Sequence, residues 1–337
     1  DKYDMKKILN RLTQYETLTE KESRNIIIEI SEGKLNTSEI SSFLTIYMIR
    51  NITIEELNGF RKALIELSVK IDLDEFDPID LCGTGGDGKD TFNISTLASF
   101  VTAGSGVKVA KHGNYGVSSS CGSSNVLEYL GLKFNNDSDK IRKAVDKANI
   151  CFLHAPLFHP AMKNVAPVRK ELGLKTFFNM LGPMVNPSMP KKQIVGVYNL
   201  ELARIYNYLY QSTDINYNII HSIDGYDEIS LTKGTKVYSR ESEFILESKD
   251  FNLQDIESSK ISGGKDVESS SKIFMDVLNG NASTEQENVV CANASLAIAI
   301  SKNIPIIEAF MNAKESIKTK NALNCFNNLI NIMKWKY

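Results

Sequence analysis

Between the apolar run Pro78-Ile79-Asp80-Leu81-Cys82 and a helix-patterned stretch that opens near Ser95, the chain places Gly83-Thr84-Gly85-Gly86-Asp87-Gly88-Lys89-Asp90. A buried strand, a turn with four glycines in six residues and a helix start form a βα unit. Consecutive glycines let backbone N–H groups turn toward one point at a helix N-terminus, which is an anion-binding nest. The loop satisfies GxGxxG and comes one residue short of the nucleotide-binding GxxxxGK[ST] pattern. That pattern needs a hydroxyl on the metal after the lysine, and here Asp90 would repel phosphates. A dinucleotide site needs an acid about 20 residues on, yet residues 97–113 carry Lys108 and Lys111 and no acid. What remains is a phosphate cradle with neutral donors from Thr84, Asn93, Ser95 and Thr96.

The surroundings of this loop define the fold class. Residues 1–70 read as helices, with three starts marked by a capping residue and a carboxylate three positions later: Thr19 with Glu22, Asn36 with Glu39, Thr53 with Glu56. Ile40, Phe43, Leu44, Tyr47 and Met48, then Leu57, Phe60, Leu64 and Leu67, each line one helical face. The acidic stretch 71–80, containing Pro78, predicts a crossover into a second domain. Beyond it strands, loops and helices alternate: VKVAKHG, then SSNVLEYLG closed by Gly131, then ICFLHAP. IVGVY, NIIHSI, GTKVYSR and SEFILES read as further strands, the last two as a hairpin. The expected fold class is α/β: a small all-helical N-terminal domain hinged to a larger α/β domain with a mixed, mostly parallel central sheet.

Composition narrows the function classes. Hydrophobic residues make up 42% and charged ones 24%, which excludes wholesale disorder. Lys and Arg number 39 against 41 Asp and Glu, a net charge of -2, so affinity for phosphate must be local and neither nucleic acid nor membrane is expected as a partner. Five cysteines without CxxC spacing suit a reducing compartment. No apolar run approaches membrane-spanning length and the opening DKYDMKKIL lacks a signal-peptide core, so a cytoplasmic protein is expected.

Other loops could carry chemistry. Lys111-His112-Gly113-Asn114 follows a strand one βα unit after the glycine loop, which places both loops at the same sheet edge. Ser118, Ser119, Ser120, Gly122, Ser123 and Ser124 form another donor-rich loop, for which a flexible linker is the plain alternative. His154 and His159 are five apart, but Pro156 between them and Pro160 just after preclude a helix presenting both to a metal, and His159 reads as structural. Arg169 is a planar cationic fork suited to a carboxylate, against the alternative of a surface ion pair. Asp227-Glu228 follow a strand and a turn; adjacent carboxylates repel unless a cation such as Mg2+ sits between them, although a solvated acidic turn is the commoner fate of such a pair.

Together the motifs CGTGGDGKDTFNIST at 82–96, KVAKHGN at 108–114, SS..GS..VLEYLG at 118–131, FHPAMKNVAPVRKELGLKTFFNMLGPMVNP at 158–187 and DGYDEIS at 224–230 resemble the anthranilate phosphoribosyltransferases, within the nucleoside phosphorylase/phosphoribosyltransferase family. The resemblance runs along nearly the whole chain. It implies a helical domain of residues 1–70, with a return segment at about 167–190, and a 71–337 domain that binds phosphoribosyl pyrophosphate (PRPP). It implies transfer of the phosphoribosyl group to the amino group of anthranilate, Mg2+ as cofactor, and a homodimer through the helical domain. For PRPP it implies Gly83, Thr84, Gly85, Gly86, Asp87, Thr91, Asn93, Ser95, Thr96, Lys111 and Ser123; for anthranilate Gly83, His112, Asn114, Arg169 and Gly182; for the metal Ser95, Asp227 and Glu228. No catalytic nucleophile or strong base is expected, because an arylamine is already unprotonated at neutral pH. The chain departs from the family pattern at Tyr115 and Ser120, where positive charge is usual, and at Asn125, commonly Asp. The rival readings are a nucleotide-cofactor oxidoreductase and a non-catalytic, nucleic-acid-binding paralogue.

Overall fold

The computed structural model describes residues 4–116 and 121–334, so Ser118, Ser119 and Ser120 lie outside the described residues. Helices α1 (Met5–Thr13), α2 (Glu20–Ser31), α3 (Thr37–Ile49) and α4 (Ile54–Leu67) come first. There follow β1 (Ile79–Gly83), α5 (Ile94–Gly104), β2 (Val109–Gly113), α6 (Ser123–Tyr129), α7 (Ser138–Ala148), β3 (Ile150–His154), and the short α8 (Ala155–Phe158), α9 (Ala166–Leu172) and α10 (Phe178–Leu181). Then come β4 (Lys192–Gly196), α11 (Leu200–Gln211), β5 (Asn216–Ser222), β6 (Thr235–Ser239), β7 (Glu243–Leu246), α12 (Val267–Leu278), α13 (Thr284–Lys302), α14 (Ile306–Lys318) and α15 (Asn321–Met333). The chain divides into two compact units: residues up to Lys70 with Ala155–Pro187, and Ile71–His154 with Ser188 onward.

In the first unit all three capping boxes form. The Thr19, Asn36 and Thr53 side chains accept the amides of Glu22, Glu39 and Glu56, whose carboxylates accept the capping residues' own N–H groups. A helix start signalled by residues three apart needs nothing distant to form, which is why the sequence displays it. The apolar faces close on an aromatic cluster: Phe60 stacks on Phe177 at 4.4 Å, and Phe43 and Tyr47 meet both edge-on. Glu56 is fully buried and becomes the polar centre of this unit. It accepts the Leu18 and Thr53 amides, the Tyr47 hydroxyl at 2.9 Å and the Arg50 guanidinium, so its burial is offset by full satisfaction.

The second unit holds a seven-stranded sheet in the order β3-β2-β1-β4-β5-β6-β7. The first five strands are parallel; β6 and β7 run antiparallel as the expected hairpin. The parallel strands are buried almost throughout, as a sheet covered on both faces requires. The chain order reverses between β1 and β4, and the loops after β1, β2, β4 and β5 leave from the same carboxyl edge, where α/β sheets bind ligands. On one flank α5 packs against α13, whose Cys291, Ala292, Ala294 and Ala297 are wholly buried. Helix α5 opens at Ile94, one residue before Ser95: Asn93 occupies the cap position, and its side chain, rather than capping the helix, donates to the Cys121 carbonyl at 3.0 Å. The Ser95 amide, one of the unpaired donors of a first turn, is thereby left for another acceptor. Among the described residues no single helix is long and apolar enough to cross a membrane.

Candidate active site

The glycine loop leaves β1 with Gly85 and Gly86 at φ +63° and +78°, in the left-handed region that glycine enters at little cost. The Thr84 amide donates to the Gly196 carbonyl at 2.9 Å and ties the loop to β4, where Gly83 and Gly196 stand side by side. Both glycines face Asp227. A Cβ on Gly83 would lie 2.8 Å from Asp227 Oδ2, and one on Gly196 only 1.6 Å from the Asp227 carbonyl oxygen. The acidic turn after β5 therefore fits against β1 and β4 only because hydrogen stands at both places.

Asp227 and Asp87 come together in this corner, and Glu228 lies within electrostatic reach of both. Asp227 Oδ2 accepts the Gly85 amide at 3.0 Å, and the Asp227 amide donates to Asp87 Oδ2 at 3.2 Å. Asp87 Oδ1 accepts the Lys89 amide at 2.9 Å. Burial, and then the charge of Asp87, push the Asp227 carboxyl up to about 7. Glu228 is pushed up for the same two reasons, by burial and then by Asp227, while Lys111 and the Ser95 amide at the α5 N-terminus pull it back. Lys111, 2% exposed, donates to the Leu81 carbonyl at 2.6 Å and to Ser95 Oγ at 3.4 Å. Crowded carboxylates that raise one another in this way are a donor set that a hard divalent cation neutralises, so Asp227 and Glu228, with the Ser95 hydroxyl nearby, fit Mg2+.

Strand β2 presents Lys111 and His112 in an order set from below. Asp80, fully buried in β1, accepts the His112 amide at 3.2 Å and the Gln193 side chain at 3.2 Å, and Gln193 accepts the Tyr210 hydroxyl at 2.5 Å. Asn114 is exposed; its carbonyl accepts the Ser124 amide at 3.1 Å and the Ser123 hydroxyl at 3.3 Å, joining the loop to the start of α6. The departures from the family pattern have structural uses. Asn125 Oδ1 accepts the Gly116 and Gly122 amides, each at 2.9 Å, and so clamps the two described ends of the serine loop. Tyr115 directs its hydroxyl to Glu128 at 3.2 Å and sets its ring edge-on to His154. His154 stacks on Phe134, bonds Ser124 through Nδ1 at 2.8 Å, and is pushed by burial down to about 4, hence neutral.

Of the other expected residues, Thr96 is buried inside α5 and Thr91 bridges to Ser262. Arg169 and Gly182 belong to the helical unit. The Arg169 guanidinium donates to Asn179 at 3.2 Å, lies over the Phe178 ring, and is lowered by burial alone, with no carboxylate contributing. A Cβ built on Gly182 meets nothing within 4 Å, so this glycine is not dictated by protein packing. His159 is buried against the Val185 and Leu64 backbone and pushed down to about 4, a core histidine as its sequence context suggests. Sequence reasoning passed over Gly196, Asp80, Gln193 and Asn179. Only Gly196 carried a signal, being a glycine at a strand end, where close backbone approach is common.

Residues 75–323 match the model of a glycosyl transferase family's a/b domain, and residues 6–68 match the helical bundle domain of such a family. The chain belongs to this glycosyl transferase family. Within it, the chain is 61% identical to the anthranilate phosphoribosyltransferase of Christiangramia forsetii over 325 residues, covering 96% of this chain and 98% of that one. It is 48% identical to that of Bacteroides fragilis over 319 residues, covering 94% and 96%. Among solved structures of the family it is similar to the Saccharomyces cerevisiae anthranilate phosphoribosyltransferase in complex with PRPP and Mg (TM-score 0.90, 28% identity, 99% of this chain and 98% of that one). The Thermus thermophilus enzyme is comparably similar (TM-score 0.89, 27% identity, 96% and 98%).

Proposed function

We infer that the chain is an anthranilate phosphoribosyltransferase: it transfers the 5-phosphoribosyl group of PRPP to the amino group of anthranilate and releases pyrophosphate. The observation that carries this reading is the gathering of Asp227 and Glu228 with the glycine nest and Lys111 at one sheet edge, in a chain that matches the anthranilate phosphoribosyltransferase of Christiangramia forsetii over 98% of that protein's length.

The chemistry follows from charge. Pyrophosphate leaves as a polyanion, so the protein's task is to hold and neutralise it while the ribose carbon becomes oxocarbenium-like. The amides of the Gly83–Gly86 turn and the buried Lys111 ammonium supply fixed positive dipoles and charge, with Thr84, Asp87, Thr91, Asn93, Ser95, Thr96 and Ser123 assigned to the same substrate. Asp227, Glu228 and Ser95 would hold Mg2+, which would supply further charge neutralisation to the diphosphate. The anthranilate nitrogen forms the new bond to the ribose carbon with its lone pair, the electron pair of the broken C–O bond leaves with pyrophosphate, and the surplus proton is released from the nitrogen. Arg169 takes the acceptor's carboxylate, and His112, Asn114, Gly83 and Gly182 are assigned to its surroundings. Neither a protein nucleophile nor a strong base is required.

We further propose a homodimer joined through the helical domain, for which the exposed apolar side chains Tyr15, Met48 and Ile49 offer surface, and a cytoplasmic setting, which suits five free buried cysteines. The test is fluorescence detection of phosphoribosylanthranilate formed by purified protein with Mg2+ and both substrates. Absence of product under those conditions overturns the assignment.

A further inference from the structure

Arg169 leaves α9 and its Nη2 donates to Asn179 Oδ1, at the start of α10, at 3.2 Å. The same Oδ1 accepts the Thr176 amide at 3.1 Å. Both partners are obligate donors, so the oxygen of the Asn179 amide, and not its nitrogen, faces them. Phe178, the next residue in the chain before Asn179, places its ring under the guanidinium, 5.5 Å from centroid to Cζ. The guanidinium is thus gripped on one nitrogen and one face. It is largely withdrawn from water, and among the described residues no ion pair offsets that burial.

An aspartate at this position would accept the same two hydrogen bonds, more strongly, and would neutralise the arginine. For stability alone the acid is the better partner, yet the position holds the neutral isostere. We propose that Asn179 is a positioning residue of the acceptor site: it fixes the plane of the Arg169 fork through one nitrogen while leaving its charge and remaining donors for the planar carboxylate of the incoming acceptor. This rests on the reading of Arg169 as the carboxylate-binding residue.

The test compares Asn179→Asp, Asn179→Ala and Arg169→Ala in the full-length enzyme, reading the KM for anthranilate, the KM for PRPP and the Tm. Asn179→Asp supplies an internal carboxylate that competes with the substrate's. It raises the anthranilate KM about tenfold or more, leaves the PRPP KM within about twofold, and holds or raises the Tm. Asn179→Ala releases the fork without neutralising it, raises the anthranilate KM by a smaller factor of about three to ten, and lowers the Tm. The aspartate thus binds acceptor worse while folding better than the alanine, an ordering that a purely structural role does not produce. An unchanged anthranilate KM in Asn179→Asp, or a Tm below wild type in that variant, overturns the inference while Arg169→Ala still shows its own large effect. If Arg169→Ala leaves the anthranilate KM unchanged, the assignment of the acceptor site fails and this inference falls with it.

Discussion

Replacing Gly83 with Ala tests whether the corner built around Asp227 is the metal-binding part of the site. An added Cβ lies 2.8 Å from Asp227 Oδ2, whereas ordinary contact begins near 3.4 Å, so the carboxylate must withdraw by about 0.6 Å. Its oxygen is held by the Gly85 amide at 3.0 Å, and that bond stretches or breaks. Weakening a hydrogen bond to a charged group costs about 1 to 2 kcal/mol. Carried into cation affinity, that cost raises the half-saturating Mg2+ concentration about tenfold, and misplacement of a ligand group can lower turnover by up to about a hundredfold. Gly106→Ala, outside the site, is the control, because a Cβ there meets nothing within 4 Å although φ is +93°. It introduces left-handed strain of about 1 to 2 kcal/mol without pushing the carboxylate. The assay is initial rate against Mg2+ for both variants, with thermal unfolding alongside. Comparable unfolding losses with a raised Mg2+ midpoint only in Gly83→Ala are expected. A wild-type Mg2+ midpoint in Gly83→Ala would refute the placement of the metal beside Asp227.

Four further outcomes follow from the same geometry. Arg169→Ala raises the anthranilate KM about 30- to 1000-fold, the equivalent of about 2 to 4 kcal/mol for a charge-assisted bidentate pair, with the PRPP KM little changed in steady-state kinetics. Changing Asp227 to Asn together with Glu228 to Gln abolishes most turnover, yet leaves the Tm of metal-free protein equal or higher in calorimetry with chelator, since it removes crowded, buried charge. His154 and His159 are both held near 4 against an ordinary 6.5, so the unfolded chain takes up their protons first; stability falls as pH drops from about 6.5 to 4, by up to about 3 kcal/mol for each, and His154→Phe makes that slope shallower in a pH series of melts. Tyr115→Arg improves the PRPP KM by less than tenfold even at low salt, because Glu128, which now takes the tyrosine hydroxyl, lies ready to pair with the new guanidinium; a larger, salt-sensitive gain would show that Glu128 does not intercept it.

What the sequence by itself determined is whatever depends on near neighbours. Thr19, Asn36 and Thr53 announce three helix starts because a capping box closes over three residues. The glycine loop announces a turn rich in positive φ because no other residue enters it as cheaply. Alternation of strands and helices was enough for the α/β class, and the ordered motifs from 82 to 230 for the family resemblance. Only the tertiary structure decided what lies across the sheet. Gly196 looks like any strand-end glycine until β4 comes beside β1 and the Asp227 carbonyl fills the space of its missing Cβ. Asp80 reads as an interruption in an apolar strand until it receives the His112 amide and Gln193. Tyr115 reads as a lost positive charge, and Asn125 as a minor exchange, until one packs on His154 and the other clamps two loop amides. The physical reason is common to all of these. Hydrogen bonds and sterics between residues a few positions apart are written in their spacing, whereas burial, close backbone approach and the mutual repulsion that raises Asp227 and Glu228 arise only when strand order brings distant segments to one edge and removes the water between them.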